Sequence, residues 1–283
     1  MIMITMAKLE EKIKNSIYAY VLGDALGVPF EFRKNGTFKC HGFVGNGTHD
    51  QPKGTWSDDT SILLCILESL TRGKDLNDCI GIYKENLGEM LYHGKFTIDG
   101  RMFDIGYQTK MAIMENFPTK ISQRCGNGCL FYSLPLAIYL IEVDDIDERR
   151  DYIEKYCRIT HNNETCIKYC FKLSEQCRAI MLDHGEVLVN NGYENNGDVI
   201  NTYNLVISEY DKLSRINGPL FQKLCRVVNL GNDTDTNTAL VGGLLGIQQG
   251  GLKGHLKQVR GFSIVEEIVK AFILVLQKNA NIY

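Results

Sequence analysis

Proline, tryptophan and long apolar runs are scarce in this chain. Its 283 residues include only five prolines and one tryptophan. No stretch approaches the roughly 18 consecutive apolar residues that a membrane-spanning helix needs. Residues 1–8 lack the leading positive charge and the long apolar run of a secretory signal, so we expect a flexible tail there. These absences predict a cytoplasmic protein with no membrane partner.

Neither sign of charge is in excess. The chain has 31 lysines and arginines against 34 aspartates and glutamates, which gives a formal net charge of −3. The two signs are interleaved along the sequence, and this excludes the basic face expected of a protein that binds nucleic acid. A phosphate-bearing ligand would therefore have to be held by local features of one site.

Ten cysteines are present, but no Cys-x-x-Cys pair occurs, and Cys125 and Cys129 have three residues between them. The scattered spacing argues against a structural zinc site, and the chain is too long for a small disulfide scaffold. We expect reduced, mostly buried thiols, which fits a cytosolic compartment.

Apolar residues recur at helical rather than alternating spacing. The pattern predicts helices over residues 9–22, 59–71, 76–92, 106–116, 130–141, 147–158, 163–182, 199–213, 220–228, 236–249 and 265–278. Residues 184–198 are expected to form a polar loop with Asn195-Asn196-Gly197 at its solvated tip, and no hairpin signal supports a sheet. The sequence therefore predicts an all-α, compact multi-helix bundle in which residues 1–283 form a single domain.

The first informative segment is Gly-Thr-Trp-Ser-Asp-Asp-Thr at residues 54–60, directly before a predicted helix. Ser57 suits the N-cap of that helix. Asp58 and Asp59 suit the positive end of the helix dipole. Helix capping alone would explain this segment.

A second acidic segment, Gly-Asn-Asp-Thr-Asp-Thr at residues 231–236, also opens a predicted helix. A calcium-binding EF-hand loop beginning at Asp233 would need Gly and Glu where Thr238 and Leu244 stand. A phosphotransferase-type Asp-x-Asp-x-Thr motif would need Thr where Asn237 stands. Neither of these motifs fits.

The two segments together carry more acid than helix capping needs. If the two helix starts converge, their four carboxylates would repel one another unless cations lay between them. Oxygen ligands without His or Cys select Mg²⁺, Mn²⁺ or Ca²⁺ rather than zinc or copper. Such a cluster can carry two metal ions, as in many hydrolases.

In their order along the chain, these segments resemble the motifs of the ADP-ribosylglycohydrolase family. That family includes the dinitrogenase-reductase-activating glycohydrolases and the ADP-ribosyl-arginine and ADP-ribosyl-serine hydrolases. Gly-Asp-Ala-Leu-Gly at residues 23–27, followed by Glu31, resembles the family's opening signature. Residues 57–59 resemble its first metal motif, and residues 231–236 resemble its second.

The resemblance implies an ADP-ribosylglycohydrolase-type fold and a site for two Mg²⁺ ions, with Mn²⁺ as a substitute. The implied metal ligands are Ser57, Asp58, Asp59, Asp233, Asp235 and Thr236. In the family the ions hold the ribose hydroxyls beside the scissile anomeric carbon and a bound water. Cleavage builds positive charge on the sugar, so a carboxylate-rich site favours the transition state.

The resemblance also implies catalytic residues. Glu31 is the first candidate for the acid or base that handles the water or the leaving group. Asp104 lies in Phe-Asp-Ile-Gly-Tyr-Gln-Thr, which resembles a family motif near the substrate ribose, although Asp104 could equally cap the helix that follows. The choice between the two carboxylates stays open. Gly106 and Tyr107 of the same motif are expected to contact substrate, and Tyr107 could stack on adenine.

Asn127 and Gly128 belong to a Gly-Asn-Gly loop that resembles the family's substrate loop. Backbone amides there could bind a phosphate or ribose oxygen, although Asn-Gly often marks a simple turn. The family often carries Met-Arg where this chain has Phe131-Tyr132, and this departure bears on substrate preference.

His161, preceded by Thr160, resembles a family element that heads a helix near the ligand. A single histidine at a helix start is otherwise most often a cap or a surface residue. Trp56 is expected to pack beside the first acidic segment rather than to stack on adenine.

We therefore expect a metal-dependent hydrolase that releases ADP-ribose from a modified side chain, with arginine as the first candidate and serine as the second. Its partner would be an ADP-ribosylated protein or a small ADP-ribose conjugate, and the protein is expected to be a monomer. The alternatives are a module that binds ADP-ribose without turnover and a two-metal hydrolase of another ADP-ribose-containing small molecule. Retention of all four aspartates favours an enzyme.

Overall fold

A computed structural model describes residues 5–118, 120–184 and 192–280. Twelve α-helices and two strands of two residues each make up the regular structure of these residues, apart from short 3-10 turns. The helices are α1 (Met6–Gly27), α2 (Asp58–Arg72), α3 (Leu76–His93), α4 (Tyr107–Met114), α5 (Ser133–Tyr139), α6 (Ile146–Thr160), α7 (Glu164–Met181), α8 (Val199–Ser214), α9 (Leu220–Val228), α10 (Thr234–Gln248), α11 (Lys253–Leu256) and α12 (Phe262–Ala280). The prediction of an all-α fold is confirmed.

Helices α1 and α10 form the centre of the bundle and pack closely along most of their length. Glycines make this approach possible. A Cβ atom on Gly23 would lie 2.4 Å from the Thr238 carbonyl oxygen, and one on Gly246 would lie 2.5 Å from the Asn15 carbonyl oxygen. Because both distances are far below van der Waals contact, any side chain there would force the helices apart.

The other helices surround this pair. Helix α2 packs against α3 and α12. Helix α10 packs against α8 and α9 in addition to α1. Helix α7 packs against α5, α6 and α8. Helices α2 and α10 therefore both belong to the core of the bundle, and so do their first turns.

Each predicted helix has an observed counterpart, with differences at the ends. Helix α1 begins at Met6 and continues to Gly27, so residues 6–8 of the expected tail are helical and residues 23–27 extend the helix. Residues 1–4 lie outside the described residues. The predicted helix at 130–141 is a 3-10 turn, Asn127–Tyr132, followed by α5. The four-residue helix α11 was not predicted because its apolar spacing is too short to show a period.

The described residues contain one small sheet, which no hairpin signal in the sequence had indicated. Strand β1 (Arg33–Lys34) pairs antiparallel with β2 (Gly231–Asn232), and the Phe32 amide donates to the Asn232 carbonyl at 2.7 Å. The partners are about 200 residues apart, so no hairpin signal could indicate them. Gly231 has a φ of +77°, and a Cβ there would lie 2.5 Å from the Asn35 amide nitrogen.

Within the described part of the chain, no helix combines the length and the apolar character that crossing a membrane would require. The ten cysteines are all free thiols, and nine of them are buried.

The close contact of α1 and α10 generates a prediction. Gly246→Ala should lower the free energy of unfolding by about 1–3 kcal/mol, because the new methyl group overlaps the α1 backbone. Gly81→Ala is the matched control, since Gly81 lies within α3 and a Cβ there meets no atom within 4 Å. That variant should gain roughly 0.5–1 kcal/mol of helix propensity. Urea unfolding measures both, and a stabilising Gly246→Ala would contradict the packing described here.

Candidate active site

A cavity of about 500 Å³ opens where α2, α4 and α10 begin. Residues from seven parts of the chain line it: Glu31, Phe32, Asp58, Asp59, Asp104, Gly106, Tyr107, Gln108, Thr109, Arg124, Cys125, Gly126, Asn127, Gly128, Phe131, His161, Asn196, Gly197, Asp198, Asp233 and Thr236. The two acidic segments singled out in the sequence therefore converge on one pocket.

The N-terminus of α2 carries the first acidic pair. Ser57 caps the helix, since its hydroxyl oxygen accepts a hydrogen bond from the Asp59 amide at 3.2 Å. The capping interpretation thus explains Ser57. It does not explain Asp58 and Asp59, whose carboxylates are buried beside the pocket.

Asp24 of α1 fixes the position of this helix start. Its carboxylate accepts hydrogen bonds from the Ser57 amide at 3.0 Å, from the Thr60 amide at 3.0 Å and from the Thr60 hydroxyl at 2.5 Å. Burial raises the pKa of Asp24 to about 6, although the hydrogen bonds from Thr60 and Ser57 lower it. Sequence reasoning noted Asp24 within a signature but assigned it no role, because its partners lie more than 30 residues away.

Asp58 and Asp59 differ in how their oxygens are satisfied. Asp58 Oδ2 accepts a hydrogen bond from the Gly106 amide at 3.2 Å. Asp59 Oδ2 is buried and has no hydrogen-bond partner. Burial raises the pKa of Asp59 well above its ordinary value, and the carboxylates of Asp235 and Asp58 raise it further. An unpaired buried carboxylate oxygen is costly unless a cation or a proton satisfies it.

The N-terminus of α10 carries the second acidic pair. Asp233 occupies the N-cap position, yet its side chain makes no capping hydrogen bond. Asp233 Oδ2 instead accepts from the Asn127 side-chain amide at 2.6 Å, and Asp233 Oδ1 is buried without a partner. Asp235 Oδ1 accepts from the Thr236 amide at 3.0 Å. Helix capping therefore does not account for this pair.

The small sheet brings Glu31 to the second pair. Ligand oxygens of Glu31, Asp233 and Asp235 all lie within 4.8 Å of one another, which is close enough to share a metal ion. Burial raises the pKa of Asp235 well above its ordinary value, and the Glu31 carboxylate raises it further. Together with Asp59 these groups supply only oxygen atoms, the donor type that hard divalent cations prefer.

The side chain of His49, which sequence reasoning missed, lies beside Glu31. Its Nε2 is hydrogen-bonded to Glu31 Oε2 and lies 3.7 Å from Asp104 Oδ2. Burial, and then the neighbouring Asp104 carboxylate, raise the pKa of Glu31 far above its ordinary value. His49 ends a short 3-10 turn, Gly47–His49, with no motif around it, so only the folded chain reveals this contact.

Asp104 does not cap α4, because Gly106 occupies the N-cap position of that helix. Asp104 instead has a φ of +49°, in the left-handed region that non-glycine residues seldom adopt. This backbone conformation accompanies a carboxylate that reaches the pocket and His49. The alternative that Asp104 is merely a cap is excluded.

The Gly-Asn-Gly loop forms one wall of the pocket. The Gly126 amide donates to Gln108 Oε1 at 2.8 Å, and the Asn127 amide donates to the Gly197 carbonyl at 3.2 Å. A Cβ on Gly128 would lie 3.0 Å from His161 Cε1, so the loop packs against that ring.

The loop that contains Asn195-Asn196-Gly197 is more than a solvated tip. Asn195 donates to the Gly231 carbonyl at 2.7 Å and accepts from the Asn237 side chain at 3.0 Å. Asn196 and Gly197 line the pocket. The prediction was wrong here because long-range pairing with the α10 start overrides the local turn signal. Residues 185–191 of the predicted loop lie outside the described residues.

His161 is buried at the end of α6 rather than at the head of a helix. It caps the C-terminus of α6, and α7 begins three residues later with Asn163 as its N-cap. Burial lowers the pKa of His161 to about 4, so the ring is neutral at physiological pH. Its Nδ1 is hydrogen-bonded to the Thr160 hydroxyl at 2.8 Å.

The aromatic residues near the site are either buried in the core, as expected for Trp56, or lie at the pocket. Trp56 is buried, and its indole N–H donates to the Phe96 carbonyl at 2.9 Å, so its ring is not available to a ligand. Tyr107 is 58% exposed at the pocket rim, and the Arg124 guanidinium lies 4.4 Å from its ring centroid. Phe131 lines the pocket, whereas Tyr132 is buried behind it.

All thirteen candidate residues thus lie in or directly beside one pocket. Ser57 and Asp235 do not line the cavity but adjoin the residues that do. The fold and this site define an all-helical protein with a carboxylate-rich, oxygen-donor pocket at converging helix starts.

Comparison with known proteins identifies the family. The model of the family described as ADP-ribosylglycohydrolase matches residues 5–210, which is most of the chain. The chain belongs to the ADP-ribosylglycohydrolase family. The second acidic pair, at Asp233 and Asp235, lies beyond the matched range, so its part in the site comes from the structure.

The individual relatives found by sequence share less than 30% identity with this chain. The protein named ADP-ribosylarginine hydrolase Tri1 from Serratia proteamaculans (strain 568) is 29% identical over 136 residues, 46% of this chain and 37% of that protein. Its namesake from Pseudomonas putida (strain GB-1) is 26% identical over 174 residues, 59% of this chain and 46% of that protein. The matched stretches thus span less than half the length of these curated relatives.

A solved structure shares the whole fold. A chain from an "ADP-ribosylglycohydrolase-related protein complex" superposes with a TM-score of 0.70, covering 94% of this chain and 97% of that chain. The sequence identity is 22%, so this likeness shows the fold alone.

The buried His161 ring generates a prediction for stability against pH. An unfolded histidine titrates near 6.5, so the unfolded state binds the proton first and stability falls as pH drops from about 6.5 to about 4. The shift corresponds to about 3 kcal/mol. In His161→Gln the loss of unfolding free energy between pH 7 and pH 4 should be smaller by about this amount. Urea unfolding at both pH values measures it.

His41→Gln is the control for that measurement, because His41 is exposed. It should show the wild-type dependence on pH. An unchanged dependence in His161→Gln would contradict the burial of a neutral ring.

Proposed function

We propose that this protein is a metal-dependent hydrolase that cleaves the glycosidic bond between ADP-ribose and a modified amino-acid side chain. Arginine is the first candidate acceptor and serine the second. The observation that carries the proposal is the convergence of two aspartate pairs on a pocket of about 500 Å³, where buried oxygens of Asp59 and Asp233 have no hydrogen-bond partner. The names of the two curated relatives, both ADP-ribosylarginine hydrolases, support the choice of acceptor.

The residues present fit two Mg²⁺ ions, with Mn²⁺ as a substitute. The proposed ligands are Ser57, Asp58, Asp59, Asp233, Asp235 and Thr236. Their donors are all oxygen, and buried Asp59 Oδ2 and Asp233 Oδ1 lack any other partner. When bound, such ions neutralise the carboxylates, orient ribose hydroxyls and lower the pKa of a bound water.

Glu31 is proposed as the group that moves the proton. The attacking water bonds through its oxygen to the anomeric carbon as the bond from that carbon to the acceptor nitrogen breaks. The water's proton passes through the Glu31 carboxyl to the departing nitrogen, so atoms and charge balance. His49 fixes the orientation of the Glu31 carboxyl. Burial, which favours the protonated form, suits a group that must donate a proton near neutral pH.

Asp104 is proposed to position the ribose rather than to shuttle the proton. Its carboxylate faces the same pocket but is less buried than that of Glu31, with 24% against 6% side-chain exposure. A more exposed carboxylate has oxygen lone pairs available to accept hydrogen bonds from sugar hydroxyls. The proposal thus assigns different roles to Glu31 and Asp104, whereas the sequence left open which of them handles the proton.

The remaining walls suit the nucleotide part of the ligand. A volume of about 500 Å³ falls within the range of pockets that hold ligands of this size. Arg124 is the only lysine or arginine among the described residues that line the pocket, and it lies beside the Gly-Asn-Gly loop. Arg124 is proposed to receive the diphosphate, and Tyr107 the adenine ring. The proposed partner is therefore an ADP-ribosylated protein or a small ADP-ribose conjugate.

Replacement of one aspartate tests the proposal. Asp235→Asn should lower the rate of ADP-ribose release by at least about 100-fold, because it removes a charged ligand from the cluster. The assay is release of free ADP-ribose from arginine-linked and serine-linked ADP-ribosyl peptides, with Mg²⁺ and with EDTA. Asp151→Asn, an exposed aspartate on α6, is the control and should retain full activity.

Each outcome of that assay is decisive. Magnesium-dependent release from one peptide supports the proposal and names the acceptor. Tight ADP-ribose binding without release from either peptide would favour a binding module instead. Undiminished release by Asp235→Asn would contradict the proposed metal ligands.

A further inference from the structure

A row of buried hydroxyl groups runs from the interior of the bundle to the pocket. The Tyr83 hydroxyl donates to the Tyr132 hydroxyl at 3.1 Å. The Tyr132 and Thr160 hydroxyl oxygens are 2.5 Å apart, and the Thr160 hydroxyl is 2.8 Å from His161 Nδ1. Tyr83 and Tyr132 are fully buried, and Thr160 and His161 are nearly so. The row links α3, the 3-10 turn before α5, and the end of α6.

The first hydrogen bond has a direction, and the other two can continue it in one consistent order. Each hydroxyl group has one proton to donate. Tyr132 accepts from Tyr83, so its own proton is available to Thr160. When Thr160 accepts that proton, its own proton is available to His161 Nδ1, the next atom of the row. In this order His161 Nδ1 is the acceptor, and a neutral ring then carries its proton on Nε2.

His161 Nε2 is the ring nitrogen that lies beside the Gly-Asn-Gly loop of the pocket wall. A Cβ on Gly128 would lie 3.2 Å from Nε2, and one on Gly126 would lie 3.8 Å from it. His161 lines the pocket although only 3% of the residue is exposed. The N–H group on Nε2 thus faces the wall formed by the Gly-Asn-Gly loop.

We propose that the hydroxyl row Tyr83–Tyr132–Thr160 holds His161 in the tautomer with the proton on Nε2, so that the ring donates a hydrogen bond to an acceptor oxygen of the bound ligand. Tyr83, Tyr132 and Thr160 are positioning residues, since none of them reaches the ligand. The ligand part of this inference rests on the proposed function, whereas the tautomer does not depend on it.

The row also explains how a tyrosine is accommodated at residue 132, where the family often carries arginine. Arginine at this buried position would bring a charge that needs partners, and here the four groups satisfy one another without any charge. A fully satisfied buried network is rigid, because reversing one member leaves a donor facing a donor. A neutral donor of fixed direction can bind a ligand oxygen and never titrates near neutral pH.

The direct test is the tautomer of His161 in the wild-type protein. Long-range ¹H–¹⁵N correlation at pH 7 distinguishes a protonated ring nitrogen from an unprotonated one, and His161→Gln assigns the signals. The expected result is a protonated Nε2 and an unprotonated Nδ1. A proton on Nδ1, or on both nitrogens, would overturn the proposal without any variant of the hydroxyl row.

Two variants of Thr160 test the row itself. Thr160→Val removes the hydroxyl at nearly constant shape, whereas Thr160→Ser keeps it. We expect Thr160→Val to give a mixture of both tautomers and to raise the Kd for ADP-ribose by about fivefold, the value of one ordinary hydrogen bond. Thr160→Ser should match the wild type in both measurements. Thr71→Val is the control, since it removes another partly buried hydroxyl, one bonded to the Leu67 carbonyl.

The outcomes separate this inference from the proposed function. A mixture of tautomers in Thr160→Val with an unchanged Kd would overturn the role of the ring in ligand binding. An Nε2 tautomer in a wild-type protein that does not bind ADP-ribose would support the hydroxyl row and contradict the proposed function. A wild-type Kd in Thr160→Val together with an unchanged single tautomer would overturn the row as the cause.

Discussion

The repulsion among buried carboxylates at the starts of α2 and α10 is the constraint on which the rest of the structure depends. Asp58, Asp59, Asp233 and Asp235 adjoin one pocket together with Glu31, and their pKa values are all raised by burial. Groups of like charge at such distances in a low-dielectric interior separate, take up protons or bind cations. The fold must therefore supply enough packing to hold them together.

Three features of the fold supply it. Glycines on α1 and α10 let the two backbones approach closely, and a Cβ on Gly27 would lie 2.5 Å from the Asp235 backbone. Asp24 then holds the first turn of α2 through hydrogen bonds to Ser57 and Thr60. The two-residue ladder between β1 and β2 brings Glu31 beside Asp233. Stability elsewhere in the bundle thus offsets the strain at the site.

Much of this arrangement could be predicted from the sequence because its signals are local. Helical periodicity locates the helices, and Ser57 with its two aspartates marks a helix start. The excess of acid over the needs of capping indicates a site, because no second local explanation competes with it. The two acidic segments were found in this way, whereas the individual metal ligands among residues 57–59 and 233–236 were implied by the resemblance to the family.

The rest could not be predicted because it depends on contacts between distant segments. His49 ends a short 3-10 turn and becomes significant only where that turn meets Glu31. The sequence around Asn195 indicates a simple turn, and only the structure shows its hydrogen bonds to Gly231 and Asn237. Asp104 could be read as a cap until Gly106 is found in that position. In each case the partner is more than ten residues away or the local signal has two equally good explanations.

The measurement that tests the central claim most directly is the melting temperature in EDTA and in Mg²⁺, for the wild type and for Asp59→Asn. The account predicts that Mg²⁺ raises the wild-type Tm, since an ion that binds only the folded state adds about 2.7 kcal/mol at 100 times its Kd. Asp59→Asn should melt higher than the wild type in EDTA, because repulsion is relieved, and should lose most of the response to Mg²⁺. A wild-type Tm that does not respond to Mg²⁺ or Mn²⁺, with Asp59→Asn melting no higher in EDTA, would contradict the account.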